Sequence, residues 1–262
     1  MNSVQRSSIS RLRALGRAEW LQFTRNRMLV IFAILFPILI PLWFWFVMDQ
    51  SLESTTVASE IFVLFALSFG VYYPVLSMAV TRRDENVLKR LRTGEARDWE
   101  ILTAPGLPTG GVMLAVAVVF VVAVSAMTMF MPLDAPVPHV WPANPVQMLL
   151  AFALGVVCSH GLALLTTRFT ANAENAQITS LPVLLLVIFS QSSLREALPN
   201  EFSRFLDITP FALAADLFRD GWVGESFAAT FADSWGKLLT LAAWAVALIW
   251  GAYQYVRWET HR

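Results

Sequence analysis

The sequence predicts an all-α membrane protein with six transmembrane helices, and three observations support this class. Of its 262 residues, 56% are hydrophobic and only 15% are charged, whereas a soluble domain has roughly a quarter charged residues. The apolar residues gather in runs of about 20, the length that crosses a bilayer as a helix. The Lys and Arg residues lie between these runs and are unevenly distributed. The formal net charge is zero, which argues against a nucleic-acid partner.

Six apolar runs are candidates for membrane helices. The fifth is the weakest, because it is short and contains Pro182, and proline in a membrane helix often marks a kink. The first run lies well inside the chain and lacks a small-residue cleavage site, so it is expected to be a retained span and not a signal peptide. The predicted spans are residues 28–48, 59–80, 106–131, 147–168, 177–191 and 236–256.

Shorter amphipathic helices are expected before the first span and before the last, within a single transmembrane domain of residues 1–262. Residues 8–27 form a basic helix that is predicted to lie in the membrane interface. Residues 193–235 alternate aromatic and acidic residues in pieces too short to cross, which indicates re-entrant or interfacial helices on the outer side. The apolar stripe predicted for the first helix is Ile9, Leu12, Leu15, Trp20 and Phe23.

The distribution of cations predicts the orientation. In a six-span topology, 15 of the 19 Lys and Arg residues fall on one side. They lie in the N-terminal segment, in the loop 81–104, at Arg168 and in the C-terminal tail. Cytoplasmic loops carry an excess of Lys and Arg, so both termini and this loop are expected in the cytoplasm.

The loop 81–104 crowds six basic and five acidic residues into its first twenty positions. Six cations at the bilayer centre would cost about 3 kcal/mol each, so the loop must lie outside the lipid. Val87, Leu88 and Leu91 recur at helical spacing. Glu85 and Lys89 are placed as a favourable pair four residues apart on the same helix.

A second short helix is expected after the break at Thr93 and Gly94. Trp99, Ile101 and Leu102 give this helix an apolar patch that a simple connector would not need. The patch therefore indicates a surface that docks another element or protein.

Four stretches, in this order along the chain, resemble the membrane subunits of ABC type-2 exporters, a family that includes bacterial drug and polysaccharide exporters. Asn86 stands where the family usually has glycine, and Asn tolerates the left-handed conformation better than most residues. Gly94 stands where proline is common. The stretches are 24–37 at the start of the first span, 83–93 in the loop, 99–102 in the next short helix and 210–219 before the last span.

The resemblance implies a half-transporter in a bacterial cytoplasmic membrane. Two permease subunits, identical or homologous, would pair with two ATP-binding subunits, which would hold the ATP and magnesium. The loop after the second span would form a coupling helix in a groove of the ATP-binding subunit, and closure of those subunits would open an outward path. The residues assigned to this coupling are Arg83, Asp84, Glu85, Leu88, Leu91, Arg92, Trp99, Ile101 and Leu102.

No cofactor or metal is expected in this chain itself. A phosphate-binding P-loop needs Gly-Lys followed by Ser or Thr, and the only Gly-Lys pair, Gly236-Lys237, is followed by Leu238. ATP hydrolysis is therefore assigned to a partner. The lone Cys158 and the scattered histidines do not suggest a metal site.

Two other classes stay open as alternatives. An ion-coupled secondary transporter or channel would want a carboxylate near the membrane midplane, whereas Glu60 and Glu174 lie near span ends. An intramembrane enzyme could use Ser159 and His160, but neighbours on a helix point about 100° apart, so packing or an interhelical hydrogen bond is favoured.

The expected substrate is a hydrophobic or amphipathic molecule such as a drug, peptide or lipid, as in multidrug efflux, and membrane lipids are expected around the spans. Aromatic and polar side chains in the second span and at the end of the fifth could line its path, although ordinary helix packing explains them equally well. These candidates are Tyr72, Tyr73, Ser77, Met78, Gln191 and Ser192.

Overall fold

The computed structural model describes residues 8–48, 51–94, 96–130, 141–223 and 227–256, and these are helical apart from short turns and loops. Within these ranges the elements are α1 Ser8–Arg25, α2 Arg27–Val47, α3 Leu52–Phe65, a π-helical segment Ala66–Tyr72, α4 Tyr73–Asp84, α5 Val87–Arg92, α6 Asp98–Thr103, α7 Gly106–Phe130, α8 Pro145–Thr166, α9 Ala176–Phe189, α10 Ser192–Glu196, α11 Asn200–Asp207, α12 Pro210–Val223 and α13 Phe227–Tyr255.

Five stretches within the described ranges are long and apolar enough to cross a membrane. The predicted all-α, multi-span fold is confirmed. The predicted fifth span is helical as α9, but α9 has 14 residues, or about 21 Å at 1.5 Å per residue, which is shorter than a hydrocarbon core of about 30 Å. The five stretches are Arg27–Val47, Leu52–Asp84, Asp98–Met127, Pro145–Thr166 and Thr230–Tyr255.

The second span is the centre of the bundle, because 78% of its most apolar part is buried inside the structure. Its middle is the π-helical segment Ala66–Tyr72, a local widening of the helix that is frequent at functional positions. A Cβ atom at Gly70 would lie 2.1 Å from Met113 Sδ on α7. Glycine at this position therefore allows α7 to approach the widened helix closely.

Four helices meet around the ring of Phe62 on α3. This ring stacks on Phe120 of α7 with centroids 4.2 Å apart and lies 5.8 Å from Phe152 of α8 and 6.0 Å from Phe218 of α12. Lipid tails are as apolar as these side chains, so close packing rather than exclusion from water holds such helices together. The aromatic cluster therefore fixes α12 against three crossing helices.

Helix α12 packs along α8 in the opposite direction. A Cβ atom at Gly155, in the middle of α8, would lie 3.1 Å from Ala214 Cβ near the start of α12. At the other end, Asn144 N donates to Gly221 O at 2.9 Å. The two contacts on α8 are 11 residues apart in the chain, about 16 Å along a helix. Helix α12 therefore packs against most of the length of α8, and the predicted re-entrant or interfacial character of residues 193–235 stays a prediction.

Helix α13 begins at Phe227, ahead of the predicted start of the last span at 236. Lys237 Nζ donates to Asp220 Oδ2 at 2.8 Å, so its charge is paired while the backbone stays helical.

The predicted apolar stripe of α1 is only partly buried against the protein, and its place in the membrane interface stays a prediction. Phe23 is 1% exposed, but Ile9 and Trp20 are 66% and 46% exposed. The buried face is rotated because it includes Glu19, which pairs with Arg82 of α4. Ile9 and Trp20 consequently fall at the edge of the buried face.

Candidate functional site

The connection from α4 to α6 turns sharply at Asn86. Its φ is 58°, the left-handed conformation that asparagine tolerates better than most residues. The turn ends α4 at Asp84 and starts α5 at Val87. The expectation that Glu85 and Lys89 share one helix is therefore wrong, because Asn86 interrupts the helix between them.

Arg83 anchors this connection to the segment that follows α8. It is 3% exposed, and its guanidinium donates to Thr167 O at 2.6 Å, Thr170 O at 2.7 Å and Ala171 O at 3.1 Å. The neighbouring Asp84 accepts a hydrogen bond from Ala173 N at 3.0 Å. Both residues were assigned to coupling, and both face the protein's own backbone.

Glu100 ties α6 to the N-terminal helix. Its fully buried carboxylate accepts hydrogen bonds from Arg11 Nε and Nη2, both at 3.0 Å, from Arg97 N at 3.0 Å, and from the Ser8 hydroxyl. The Arg11 guanidinium pairs with this carboxylate, and the hydroxyl and amide donors complete its hydrogen bonds. The first turn of α1 is therefore fixed to the start of α6.

A second pair fixes α1 to the end of α4. Arg82 Nη1 lies 2.5 Å from Glu19 Oε1, and Arg82 Nε donates to Gln22 Oε1 at 2.9 Å. Glu19 is fully buried, and this burial raises its pKa to about 7 although the adjacent Arg82 acts in the opposite direction. Helix α1 is thus anchored at two points along its length.

Sequence reasoning missed these anchors, although a signal for one was present. Glu100 is the third residue of α6 and bonds back to the backbone N–H of Arg97, which is half of a capping box. Glu19 lies within an amphipathic pattern where a glutamate is ordinarily assigned to the solvent. Its burial depends on Arg82, 63 residues away in the chain, and no local pattern predicts that pairing.

The predicted apolar patch of α6 is mostly internal. Ile101 and Leu102 are 1% and 6% exposed, while Trp99 is 39% exposed. Leu88 of α5 is also buried, and Leu91 is half-buried. Of the patch, only Trp99 is available to a partner, and its coupling role stays a prediction.

The outward side of α5 and α6 is a mixed aromatic and cationic surface, which we call the loop face. Arg92 Nε lies 3.5 Å from Asp98 Oδ1 and joins the two helices across their turn. The loop face consists of the exposed residues Glu85, Lys89, Arg90, Arg92, Arg97 and Trp99.

Three neighbours in α8 that could suggest an enzyme have separate surroundings. His160 Nε2 lies 3.0 Å from Leu102 O, and Cys158 Sγ lies 3.8 Å from Leu241 O. The buried Ser159 hydroxyl has no hydrogen-bond partner among the described residues. His160 thus makes the interhelical hydrogen bond that was favoured over a catalytic role.

A second charged network lies at the opposite end of the bundle, around Glu60 of α3. The Glu60 carboxylate is fully buried. It accepts a hydrogen bond from Ser192 Oγ at 2.6 Å and another from Arg219 Nη1 at 3.1 Å. Glu60 therefore links the second span to α10 and α12.

Arg195 extends this network. Its guanidinium is 2.5 Å from Asp216 Oδ1 on α12 and 2.7 Å from Asp207 Oδ1 on α11. The Arg195 and Asp216 side chains are only 6% and 11% exposed, whereas Asp207 is 51% exposed. We call the set Glu60, Ser192, Arg195, Asp207, Asp216 and Arg219 the α10–α12 network.

The six residues predicted for the substrate path lie in different environments. Tyr72 is fully buried and donates to Thr166 Oγ1 at 3.2 Å, and Met78 packs with Phe23 and Leu29. Tyr73 and Ser77 are partly exposed on the second span. Gln191 caps α10, and Ser192 belongs to the α10–α12 network.

An apolar cavity of about 250 Å³ opens between α7, α8 and α12. Phe152 and Phe218 lie among its lining residues, as do the exposed side chains of Val118, Val122 and Leu149. The cavity therefore connects the aromatic cluster with the outer surface of the bundle.

The long apolar helices, packed through small and aromatic side chains, define a multi-pass membrane protein. The chain matches the model of the ABC-2 type transporter family over residues 10–222. It therefore belongs to this family and is a membrane permease of the ABC transporter type. Among curated proteins, no significant match to the chain was found.

Proposed function

We propose that the chain is the permease subunit of an ATP-driven exporter and that its loop face receives an ATP-binding subunit in the cytoplasm. The observation that carries this proposal is the anchoring behind the loop face. Glu100 fixes α6 to α1, and Arg83 fixes the end of α4 to the segment after α8. A force applied to the loop face would therefore reach the spans instead of bending a free loop.

The chemistry of the loop face suits a protein partner. Trp99 offers an exposed indole, and Trp and Arg are the residue types that most often dominate binding energy in interfaces. The loop face also carries four exposed cations: Lys89, Arg90, Arg92 and Arg97. Such a surface favours a groove with acidic side chains.

The assembly proposed is two permeases, identical or homologous, with two ATP-binding subunits that supply the ATP and magnesium. The excess of Lys and Arg on one side supports cytoplasmic termini in the cytoplasmic membrane. The exposed apolar faces of α2 and α13 are available for lipid or for a second permease.

The proposed substrate is a hydrophobic or amphipathic molecule, such as a drug, peptide or lipid, moved outward. The apolar cavity between α7, α8 and α12 supports this class, because it lacks the polar groups that a sugar polymer would need.

The test is to purify the tagged permease with its ATP-binding subunit and reconstitute both in liposomes. We expect MgATP hydrolysis and ATP-dependent export of a lipophilic dye, both lost when the permease is omitted. Transport that depends on an ion gradient and ignores ATP would overturn the proposal.

The ion-coupled alternative has one observation in its favour, the buried carboxylate of Glu60. However, Ser192 and Arg219 already engage both of its oxygens. Transport by Glu60→Gln should therefore still require ATP. Wild-type transport that is driven by a proton gradient instead of ATP would favour the alternative.

A further inference from the structure

Helix α6 and helix α7 meet at a two-residue joint, Ala104-Pro105. Proline lacks a backbone N–H, so the helical hydrogen-bond ladder is interrupted there. The last four carbonyls of a helix have no partner within it. Leu102 O, in the last turn of α6, is therefore open to a donor from another element.

His160 of α8 supplies that donor. Its Nε2 lies 3.0 Å from Leu102 O, and because a carbonyl oxygen only accepts, Nε2 is the donor. A Cβ atom at Gly106, the first residue of α7, would lie 2.6 Å from His160 Nδ1. The buried imidazole thus touches both sides of the joint: α6 through a hydrogen bond, α7 through close packing.

The opposite end of α8 is bonded to α12. Gln147 Nε2 donates to Leu217 O at 3.1 Å, and Asn144 N donates to Gly221 O at 2.9 Å. A single helix, α8, therefore has contacts with α6 near one end and with α12 near the other.

We propose that His160 is a positioning residue that passes a displacement of α6 to α8 and thereby to α12. This inference rests on the proposed role of the loop face as the site where the ATP-binding subunit acts. It assigns a role in transport to a histidine that makes no contact with nucleotide or with the loop face. The hydrogen bond holds the end of α6 at a fixed distance from α8. A displacement of α6 is therefore passed on to α8.

The experiment uses fluorescent reporters on single cysteines in a Cys158→Ala background, since Cys158 is the only cysteine in the chain. One reporter replaces the exposed Thr103 on α6, and the other replaces the exposed Val223 on α12. The full permease is reconstituted with its ATP-binding subunit, and the signal change on adding MgATP and vanadate is recorded. His160→Leu removes the donor, whereas His160→Gln keeps an amide N–H.

We expect His160→Leu to retain the response at Thr103 and to reduce the response at Val223 by about fivefold or more, the size of a typical coupling between sites. His160→Gln should restore the response at Val223. Gly106→Ala displaces the imidazole without removing it and should give the same response as His160→Leu. It replaces His160→Leu in the experiment if the His160→Leu protein does not fold. Ser159→Ala is the matched control and should respond like the wild type.

An undiminished Val223 response in His160→Leu and Gly106→Ala would overturn the proposal while leaving the loop face intact as a docking site. Failure of His160→Gln to restore the response would also overturn it, because packing alone would then explain the loss. A silent Thr103 reporter in the wild type would instead show that the proposed function is wrong, and the role of His160 would fall with it.

Discussion

The two ends of the bundle both carry clusters of charge, but they arrange them in opposite ways. At the α5–α6 end, the buried ions Glu100, Glu19 and Arg83 bond inward while the cations of the loop face stay exposed. At the α10–α12 end, the ions bond to one another across α3, α10, α11 and α12. The first arrangement leaves a surface for a partner, whereas the second closes on itself.

This difference has a physical reason. Taking an ion out of water is costly unless its partners are close and complete. The α10–α12 network meets this condition by gathering opposite charges from short helices. At the α5–α6 end, a few individual buried residues meet this condition. The remaining charged side chains of that end stay in water, where they can bind a partner.

The largest effect is expected from breaking the closed network. Arg195→Leu leaves Asp216 buried without its cation, and removal of one member of a buried pair typically costs about 3–5 kcal/mol. Thermal unfolding of the purified permease in detergent checks this. The matched control is Arg204→Leu on the exposed side of α11. Equal unfolding temperatures for the two variants would contradict a closed, stabilising network.

A smaller and local effect is expected at the other end. Glu100→Gln removes the charge that holds Arg11, so the first turns of α1 should separate from α6 without global unfolding. Hydrogen exchange in nanodiscs should show amides 8–16 exchanging about tenfold faster. The exposed Glu174→Gln is the control at the same end. Unchanged exchange in Glu100→Gln would show that α1 is held by packing alone.

The Glu19 anchor of α1 should respond to pH. Glu19 has a raised pKa of about 7, so between about 4.5 and 7 the folded protein holds a proton that the unfolded chain has lost. The free energy of unfolding should therefore fall as the pH rises through this range.

Unfolding temperatures measured from pH 5 to pH 7 check this prediction against Glu19→Gln. The wild type should lose stability relative to that variant as the pH rises. Parallel curves for the two proteins would show that Arg82 offsets the burial of Glu19 completely.

The smallest effect is expected from the exposed member of the α10–α12 network. Asp207 is 51% exposed, and exposed ion pairs contribute about 0–1 kcal/mol. Asp207→Asn should change the unfolding temperature far less than Asp216→Asn, although both aspartates bind Arg195. Equal decreases in the unfolding temperature of the two variants would show that the exposure of an aspartate does not determine how much its contact with Arg195 stabilises the protein.

Much of this fold could be predicted from the sequence, because membrane spans are encoded locally. Runs of apolar residues predicted six spans, of which five are long and apolar enough to cross in the described ranges, and the break near Gly94 separates two short helices as predicted. The earlier break at Asn86 was not predicted, although asparagine tolerates the left-handed conformation that it adopts there.

The parts that could not be predicted depend on distant pairing. The sequence predicted Trp99, Ile101 and Leu102 as one docking patch without showing which of them faces the protein itself, because the depth of α6 against the bundle decides that Ile101 and Leu102 are buried and Trp99 is exposed. The anchors Glu100–Arg11 and Glu19–Arg82 join residues far apart in the chain. Leu102→Asp would consequently bury a charge and report on folding, so Trp99 is the position that probes docking.

The central claim is that the loop face binds the ATP-binding subunit through Trp99, and the affinity of the nanodisc-embedded permease for that subunit tests it most directly. Trp99→Ala and Trp20→Ala form a matched pair, since both indoles are partly exposed, at 39% and 46%, but only Trp99 lies on the loop face. We predict that Trp99→Ala weakens binding by at least about tenfold, as loss of an interface hot spot does, and that Trp20→Ala leaves it unchanged. Equal affinities for Trp99→Ala and the wild type would contradict the claim.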